Sequence, residues 1–282
     1  MHDDASSDGT TVIIREYARK YPDIVIPIIE KENCVQRGKQ IRPIIKEAIR
    51  GKYVALCECD DWWTDQNKLQ LQWEYMELHR DCSLHVHGVN VFREKEGSYR
   101  GCICPSKKER DYDIDEIILG DGGLFGTNSM FLPNALFVLP REYLNWGVGD
   151  YPTAIYLATQ GTVHFNPRVM SSYRAGSAGS WSERMLDSAY AIATRERLIQ
   201  CLGNWDVTTN FKHHSAVSKR ILLWRLENAS LTGQKNVLSS VGSTTAFKTL
   251  TAKQRIKYWL KIAHPKVFAL IKDLMNIRHA KI

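Results

Sequence analysis

The chain has 282 residues, of which 44% are hydrophobic, and a formal net charge of +7. This length and composition exclude a disordered chain and suit one large α/β domain with an appendage, or two modest domains. Residues 251–282 contain eight Lys or Arg residues and one Asp, so the first 250 residues are neutral overall. This distribution excludes a broad nucleic-acid-binding face on the main domain and assigns any anionic partner to the C-terminal tail.

The sequence carries no signal for export or for a membrane-spanning helix. No run of 18 or more apolar residues occurs, and Met1-His-Asp-Asp4 is acidic where a signal peptide is basic and then apolar. Seven cysteines, an odd number in a long chain, favour reduced thiols, and the pairs Cys57/Cys59 and Cys102/Cys104 lack the two-residue spacing of a zinc knuckle. We therefore expect a cytoplasmic protein whose cysteines are small buried residues.

Apolar periodicity predicts helix, strand, helix, strand at the start of the chain. One helix is predicted over residues 10–20 and a second from about Ile41 to its stop at Gly51, and the strands are predicted over residues 24–29 and 53–57. This order implies parallel strands joined by right-handed crossovers, and ligands of such open sheets bind beyond the carboxyl ends of the strands. The acidic run Glu58-Cys-Asp-Asp61 follows the second strand at such an end.

The rest of the chain continues the alternation and then becomes helical. Thr64 is predicted to cap a helix with Leu69, Trp73 and Met76 on its buried face, and Gly88 to form a bulge in the next strand. The later elements are a helix over 113–119, a strand over 135–139, a helix from Asp150 to about residue 160, and strands over 162–165 and 169–173. From about residue 182 the pattern predicts helices only.

The run Glu58 to Asp61 places three acids within four residues at the end of a buried strand. Like charges repel there, and a bound divalent cation would remove the conflict. Oxygen ligands alone favour Mg²⁺ or Mn²⁺, which also bind diphosphate oxygens. The alternative is a solvated acidic turn.

Two further acidic sites have a functional and a structural interpretation. Residues Asp4 to Gly9 have the opening spacing of an EF-hand loop, but Arg15 stands where the bidentate glutamate belongs, so a strand-to-helix turn is the better interpretation. Asp150 begins a predicted helix, where the helix dipole keeps a carboxylate ionised, as a general base requires. A plain N-cap explains Asp150 as well.

The C-terminal tail has two apolar stripes flanked by Lys and Arg. Ile256, Trp259, Leu260 and Ala263 form one stripe, and His264-Pro265 separates it from a second that consists of Val267, Leu270, Ile271 and Leu274. This composition fits helices that lie on an anionic membrane surface through residues 251–282, with the protein peripheral at the inner face of the plasma membrane. Packing on the main domain explains the apolar stripes equally well.

Several segments, taken in chain order over residues 1 to 182, resemble motifs of the family-2 glycosyltransferases, which have the GT-A fold. The matching segments are Asp3-Asp-Ala-Ser-Ser-Asp-Gly-Thr10, Glu32-Asn33 with Gly38-Lys39, Ala48-Ile-Arg-Gly-Lys-Tyr53, Glu58-Cys-Asp-Asp61-Trp-Trp with Lys68-Leu-Gln70, Gly149-Asp-Tyr-Pro152, and Met170-Ser-Ser-Tyr-Arg174 with Gly179-Ser-Trp-Ser182. The resemblance implies an α/β fold with a Rossmann-like, mostly parallel sheet. It also implies a catalytic domain over residues 1–182 and a helical extension over 183–282.

The resemblance implies a role for each matching acid. Asp3 or Asp4 meets the nucleotide base, Glu58 joins the nucleotide-sugar site, and Asp60 and Asp61 hold the ribose and the metal-bound diphosphate. Asp150 deprotonates the acceptor hydroxyl, and Asn128 and Ser129 lie near the sugar. The implied reaction moves a sugar, with inversion, from a nucleotide-sugar donor to a glycan or glycolipid acceptor. A UDP-sugar is expected as the donor in preference to a GDP-sugar, and the implied process is cell-surface polysaccharide synthesis.

Two departures from the family pattern lead to an alternative. The family's first βαβ unit, of about 35 to 40 residues, does not precede Asp3-Asp4, so one wall of the base pocket and a central strand are expected to be absent. Gly176 stands where many relatives have a histidine. The alternative function is a catalytically degenerate relative that acts as a binding or assembly subunit.

Overall fold

The computed structural model describes residues 1–177, 179–242 and 244–271. The N-terminal half contains most of the strands. Its elements are β1 (His2–Asp3), α1 (Thr10–Lys20), β2 (Ile28–Ile29), α2 (Ile41–Ala48), β3 (Tyr53–Ala55), β4 (Trp62–Trp63), α3 (Lys68–Leu78), β5 (Cys82–Arg93), β6 (Ser98–Ile103), β7 (Arg110–Tyr112) and α4 (Ile114–Gly120).

The part of the chain that follows residue 130 is mostly helical. Its elements are β8 (Phe131–Pro133), α5 (Asp150–Gln160), β9 (Thr162–Ala175), α6 (Trp181–Arg184), α7 (Ser188–Thr208), α8 (His214–Thr232), α9 (Asn236–Gly242), α10 (Thr245–Lys248) and α11 (Ala252–Ala263). The α/β class and the helical C-terminal region are therefore confirmed. None of the helices in the described ranges is both long and apolar enough to cross a membrane.

The strands form one large and one small sheet. The large sheet has seven strands in the order β3-β8-β5-β9-β4, with β6 paired to β5 and β7 paired to β9. Among the strand pairs described in this sheet, β5 and β9 are parallel and the other pairs are antiparallel. The sheet is therefore mixed, and the prediction that it is mostly parallel is wrong. β1 and β2 pair in parallel and form a separate two-stranded sheet. The strands predicted over 24–29 and 53–57 therefore lie in different sheets, and the parallel pairing that their order implied is wrong.

The long parallel pair β5 and β9 forms the centre of the molecule. The two segments predicted as separate strands over 162–165 and 169–173 are one strand, β9, whose register against β5 shifts at Gly88. A Cβ atom at Gly88 would lie 2.9 Å from the carbonyl oxygen of Pro167. The predicted bulge is therefore confirmed, and glycine is required there because the backbones approach so closely.

The main hydrophobic core lies between the large sheet and the helices α4, α5, α7 and α8. Leu84 and Phe165 from the central strands share this core with Leu202, Trp205 and Trp224 from the C-terminal helices, and all five are at most 1% exposed. A smaller core joins α8 to α9, α10 and α11. The helical extension and the sheet domain thus bury their apolar side chains against each other.

Apolar periodicity predicted the wrong buried face for much of α3. In α1 only Ile14 is buried, and the apolar residues Val12 and Tyr17 are about half exposed or more. In α3 the buried face includes the polar residues Lys68 and Gln72. Of the three residues predicted on the buried face, Met76 is buried, whereas Leu69 and Trp73 are nearly half exposed. The residue before α3 is Asn67 rather than the predicted cap Thr64.

Two smaller expectations also fail. The strand predicted over 135–139 is absent; residues 134–136 form a short 3₁₀ helix after β8. All seven cysteines are free, but only Cys34 and Cys82 are buried, whereas Cys57, Cys59 and Cys102 are exposed. The exposed thiols lie in loops or at a sheet edge, where the strand-like pattern of the sequence did not predict solvent access.

Candidate active site

Asp61 is the most firmly held member of the acidic run between β3 and β4. The backbone N–H of Arg174 donates to its Oδ1 at 2.9 Å, and the Asn128 amide donates to its Oδ2 at 2.8 Å. Arg174 belongs to β9, and Asn128 belongs to a short 3₁₀ turn before β8. The carboxylate is therefore fixed by two segments that are distant in sequence.

Asn128 is completely buried beneath Asp61. Its amide nitrogen also donates to the carbonyl oxygen of Ser172 at 3.0 Å, and its amide oxygen accepts from the Ser171 hydroxyl at 2.9 Å. The indole of Trp63 donates to its backbone carbonyl at 3.2 Å. Both N–H groups of the Asn128 amide are therefore engaged, and its side chain holds Asp61 against β9.

Ser129 lies beside Asn128, and its hydroxyl bonds to the backbone of the same turn. Its hydroxyl donates to the carbonyl oxygen of Gly126 at 2.7 Å, and its side chain is completely buried. Its carbonyl oxygen accepts from the Gln72 amide at 2.9 Å. Ser129 therefore joins α3 to the turn that contains Asn128.

Three carboxyl groups share one negative environment. Although Glu58 is exposed as a residue, burial of its carboxyl group raises its pKa to about 7, and the charges of Asp61, Asp60 and Asp150 add to the rise. Burial is also the largest cause that raises the pKa of Asp61 and that of Asp150, each to about 6. Since repulsion among these groups opposes ionisation, the site favours the arrival of a cation.

Asp150 is the first residue of α5, and Gly149 occupies the N-cap position. Its Oδ1 accepts from the backbone N–H of Tyr151 at 2.7 Å. A Cβ atom at Gly122 would come within 3.5 Å of both carboxylate oxygens, so the glycine-rich loop passes directly beside this carboxylate. The nearby charge of Asp121 raises the pKa of Asp150 and that of Arg42 lowers it, after the larger effect of burial.

Arg42 is a site residue that the sequence did not identify. It extends from α2 to the start of α5, where its guanidinium donates to the Thr153 hydroxyl at 2.7 Å and to the Phe137 carbonyl oxygen at 3.0 Å. Burial lowers its pKa to about 10, so it remains charged at neutral pH beside Asp150. No motif pointed to Arg42, because the contact spans more than 100 residues of sequence.

Arg174 supplies a second cation at the opposite side of the acidic run. Its guanidinium lies 5.1 Å from the centre of the Trp62 ring, donates to the Asp60 carbonyl oxygen at 2.9 Å, and forms an ion pair with Glu94 at 2.7 Å. The motif that contains Arg174 was noted in the sequence, but no role was assigned to this residue. Its fixed position next to Asp60 and Asp61 lets it contact an anionic ligand.

Asp3 and Asp4 form the turn that begins at the end of β1. Asp3 is 2% exposed and accepts from the backbone N–H of Ser6 at 3.0 Å and from the Thr11 hydroxyl, and these hydrogen bonds lower its pKa. Asp4 is partly exposed and accepts from the backbone N–H groups of Cys34 and Val35 at 2.6 and 3.1 Å. The strand-to-helix turn preferred over the EF-hand interpretation is therefore confirmed, with a local backbone bond at Asp3. Asp4 instead bonds a distant segment, and the N-cap residue of α1 makes no side-chain capping hydrogen bond.

The acidic run has the chemistry of an open magnesium or manganese site. The described residues contain no cluster of three or more His, Cys, Asp or Glu side chains arranged to hold a metal by themselves. Mg²⁺ is usually bound by one or two carboxylates together with substrate phosphates, and Asp60 and Asp61 supply two carboxylates. Each Asp61 oxygen accepts one protein hydrogen bond and retains a second lone pair for a metal ion.

Comparison with known proteins identifies the class. The family model described as Glycosyl transferase family 2 matches residues 1–136. The chain is 27% identical over 263 residues to uncharacterized proteins of Mycobacterium bovis and Mycobacterium tuberculosis, and the alignment covers 90% of the chain and 73% of each relative. It is 31% identical over 94 residues to the putative teichuronic acid biosynthesis glycosyltransferase TuaG of Bacillus subtilis, covering 33% of the chain and 34% of that protein.

A solved structure with a similar overall arrangement is that of S. aureus TarS in complex with UDP-GlcNAc. The similarity covers 93% of the chain and 77% of TarS, with 11% sequence identity and a TM-score of 0.48.

The family match covers residues 1–136, just under half of the chain, and supports the resemblance to the family-2 glycosyltransferases that the sequence motifs predicted. The predicted α/β class agrees with this match. The matched range contains the acidic run, Asp3, Asp4, Asn128 and Ser129, whereas Asp150 lies beyond it.

Proposed function

We propose that the protein transfers a sugar, with inversion, from a nucleotide-sugar donor to a hydroxyl group of a glycan or glycolipid. The observation that carries this proposal is the convergence of Glu58, Asp61 and Asp150 in one site, where burial raises all three pKa values and the charges of neighbouring carboxylates add to the rise. Such a site stabilises a metal ion on one side and holds a proton acceptor on the other. A UDP-sugar is proposed as donor ahead of a GDP-sugar.

Asp60 and Asp61 would hold Mg²⁺ or Mn²⁺ together with the donor diphosphate. The ion would stabilise the negative charge that grows on the departing nucleoside diphosphate. Asn128 contributes by holding Asp61 in one orientation, and Ser129 contributes by anchoring the same turn. Arg174, which is fixed on Trp62, adds a positive charge beside the diphosphate.

Asp150 is the proposed general base. A carboxyl group with a pKa of about 6 is mostly ionised at neutral pH and is basic enough to accept a proton. The acceptor oxygen forms a bond to the anomeric carbon as the bond from that carbon to the phosphate oxygen breaks. The hydroxyl proton moves to Asp150, so charge and atoms balance.

The nucleoside is proposed to lie across the ends of β1 and β3. Asp4 is the better candidate for the base contact, because Asp3 is almost fully buried and both its oxygens accept hydrogen bonds from Ser6 and Thr11. Glu58, with a pKa of about 7, is protonated in about half of the molecules at neutral pH and so can donate a hydrogen bond to a ribose hydroxyl. Cell-surface polysaccharide synthesis is the proposed process, since TuaG is described as a teichuronic acid biosynthesis glycosyltransferase.

Nucleotide release tests the proposal directly. The purified chain is incubated with a panel of UDP- and GDP-sugars, with Mn²⁺, Mg²⁺ or a chelator, and release of UDP or GDP is measured. We expect metal-dependent release from one donor, and its loss in Asp61→Asn and Asp150→Asn but not in the exposed control Asp23→Asn. Absence of binding and turnover for every donor, with or without metal, contradicts the proposal.

A second candidate function is that of a degenerate relative that binds a nucleotide-sugar or an assembly partner without catalysis. It is favoured by Gly176 and by the separation of the β1–β2 sheet from the large sheet among the described residues. In cells that need the protein for polysaccharide output, the double variant Asp60→Asn/Asp150→Asn separates the two functions. Unchanged output supports the degenerate relative, whereas lost output with normal protein level supports the enzyme.

A further inference from the structure

Helix α11 presents two distinct apolar faces. Tyr258 and Ile262 are 5% and 1% exposed and pack in the small core against α8. Ile256 and Trp259, on another side of the same helix, are 59% and 50% exposed. Packing on the main domain therefore explains the first face and leaves the second face unexplained.

The exposed face continues beyond the predicted break at His264-Pro265. Residues 265–271 are helical again, and Val267 and Leu270 are 48% and 61% exposed. The Trp259 ring lies 4.6 Å from the His264 ring, so the indole is held at the junction of the two helical segments. Leu274, the last member of the stripe predicted from the sequence, lies outside the described residues.

Basic side chains border this exposed face. Lys253, Lys257 and Lys261 recur every four residues along α11 and therefore form one row on the helix surface. Residues 251–271 contain five Lys or Arg residues and no Asp or Glu. Arg255 has a structural role, since it donates to the carbonyl oxygens of Leu250 and Lys248 and ties α11 to the end of α10.

We propose that α11 and residues 265–271 dock on an anionic lipid bilayer. A helix that lies in a membrane interface has a narrow apolar stripe with aromatic and aliphatic side chains and a lysine border. The lysines place their alkyl chains along the apolar boundary and their ammonium groups at the lipid phosphates. The absence of acids from residues 251–271 makes the surface complementary to anionic headgroups in particular.

The proposal goes beyond glycosyl transfer and does not depend on it. The helix lies on the membrane rather than across it, and Trp259 enters the interface beside the headgroups. Such docking would bring the catalytic part of the chain to the membrane on which lipid-attached acceptors lie.

Vesicle flotation of the full chain tests this docking. Vesicles of phosphatidylcholine alone are compared with vesicles that contain about a third phosphatidylglycerol, near physiological ionic strength. We expect binding to the anionic vesicles only, and a decrease when the salt concentration is raised. The double variant Ile256→Ser/Trp259→Ser is expected to lose this binding, and Lys253→Gln/Lys257→Gln to weaken it by about fivefold for each lysine.

Matched controls keep the result specific to this face. Leu69 and Trp73 on α3 match Ile256 and Trp259 in residue type and have similar exposed fractions. Because they lie on another helix, Leu69→Ser/Trp73→Ser is expected to bind vesicles like the wild type. Lys31→Gln/Lys107→Gln removes two exposed lysines elsewhere and is expected to have little effect. Nucleotide release by all four variants separates a failure of docking from a failure of the proposed function.

Three results would overturn the proposal. The first is that the wild type does not float with anionic vesicles, and the second is that Ile256→Ser/Trp259→Ser floats as well as the wild type. The third is that the wild type is a dimer in solution, that this variant is a monomer, and that neither binds vesicles. In that case the face is an interface between copies of the chain.

Discussion

Asn128 is the residue on which the orientation of Asp61 depends most directly. It is completely buried, and its amide joins Asp61 to the backbone of β9. In Asn128→Ala the carboxylate keeps only its bond from the Arg174 N–H, and we expect the Mn²⁺ concentration for half-maximal activity to rise about 10- to 100-fold. The measurement is a metal titration of nucleotide release.

Asn67→Ala is the control for this prediction, because Asn67 is exposed and its side chain makes no capping hydrogen bond. If Asn128→Ala lowers the rate without any change in the metal titration, Asn128 does not position a metal ligand and its role is purely structural.

The acidic site predicts opposite effects of pH on activity and on stability. Activity is expected to rise with pH through about 6, since Asp150 must be ionised to accept a proton. The stability of the metal-free protein is expected to fall over the same range. Folded pKa values of about 6 and 7 lie above the usual 3.8 and 4.5, so the native state holds more protons than the unfolded state between about pH 4 and 7.

Urea unfolding at pH 5 and pH 8 measures this linkage. The stability contributed by Glu58, Asp61 and Asp150 is fully present at low pH and is lost as the pH rises through their folded pKa values. Asp61→Asn should reduce the difference between the two pH values, and Mn²⁺ should restore stability at pH 8. A metal-free protein whose free energy of unfolding does not respond to Asp61→Asn at either pH would contradict the shared acidic site.

At the scale of elements, α3 has a buried polar face. Lys68 is 1% exposed, its ammonium donates to Gln72 at 2.7 Å, and it lies 4.4 Å from the centre of the Trp63 ring. Gln72 in turn donates to the carbonyl oxygens of Ser129 and His85. This helix therefore connects the central strand β5 to the turn that contains Asn128.

Gln72→Leu is expected to destabilise the protein by about 2 to 3 kcal/mol, because it leaves buried groups without hydrogen-bond partners. Gln70→Leu on the exposed side of the same helix is the control and should change stability by less than about 0.5 kcal/mol. Chemical denaturation measures both. Equal effects of the two substitutions would mean that the buried network contributes nothing to stability.

The same helix explains where sequence-based prediction fails. The bounds of α1 and α5 and the start of α2 follow from local signals such as Pro43 in the first turn of α2, and the structure agrees with them. The end of α2 at Ala48 comes before the predicted stop at Gly51. The buried face of α3 does not follow, because Lys68 and Gln72 are buried by partners on β5 and the Asn128 turn that no local pattern specifies. Strand pairing is missed for the same reason, since it depends on contacts between distant segments.

The active site, like the fold, was predicted only in part from the sequence. The run Glu58 to Asp61 stood out because three acids at a strand end need a physical reason, and the structure brings its carboxyl groups close enough to Asp150 for their charges to interact. Arg42 was missed because its importance arises from its burial next to Asp150, and an arginine inside a helix has no distinctive sequence signal.

At the scale of the whole molecule, the C-terminal helices complete the core beneath the active site. The Trp224 indole of α8 donates to Asp121 at 2.9 Å, and Arg220 of the same helix donates to the Leu119 carbonyl oxygen at 3.3 Å. Both contacts support the glycine-rich loop that passes beside Asp150. The sequence predicted a boundary near residue 182, and nothing in its pattern signalled that the helices beyond it are needed by the sheet.

This arrangement predicts how the chain tolerates truncation. A fragment of residues 1–182 loses Leu202, Trp205 and Trp224 from the main core and exposes the apolar faces of α4 and α5, so we expect it not to fold cooperatively. A fragment of residues 1–233 keeps α7 and α8 and loses only the elements of the small core, so we expect a cooperative fold with a lower free energy of unfolding. Thermal unfolding followed by circular dichroism compares both fragments with the full chain.

The fragments also separate the two proposals made for this protein. Residues 1–233 contain the whole acidic site but lack α11, so this fragment should still bind a nucleotide-sugar with metal and should no longer float with anionic vesicles. A cooperatively folded fragment of residues 1–182 would instead make the sheet domain an independent unit. The contacts of Trp224 and Arg220 with the loop beside Asp150 would then have no role in its stability.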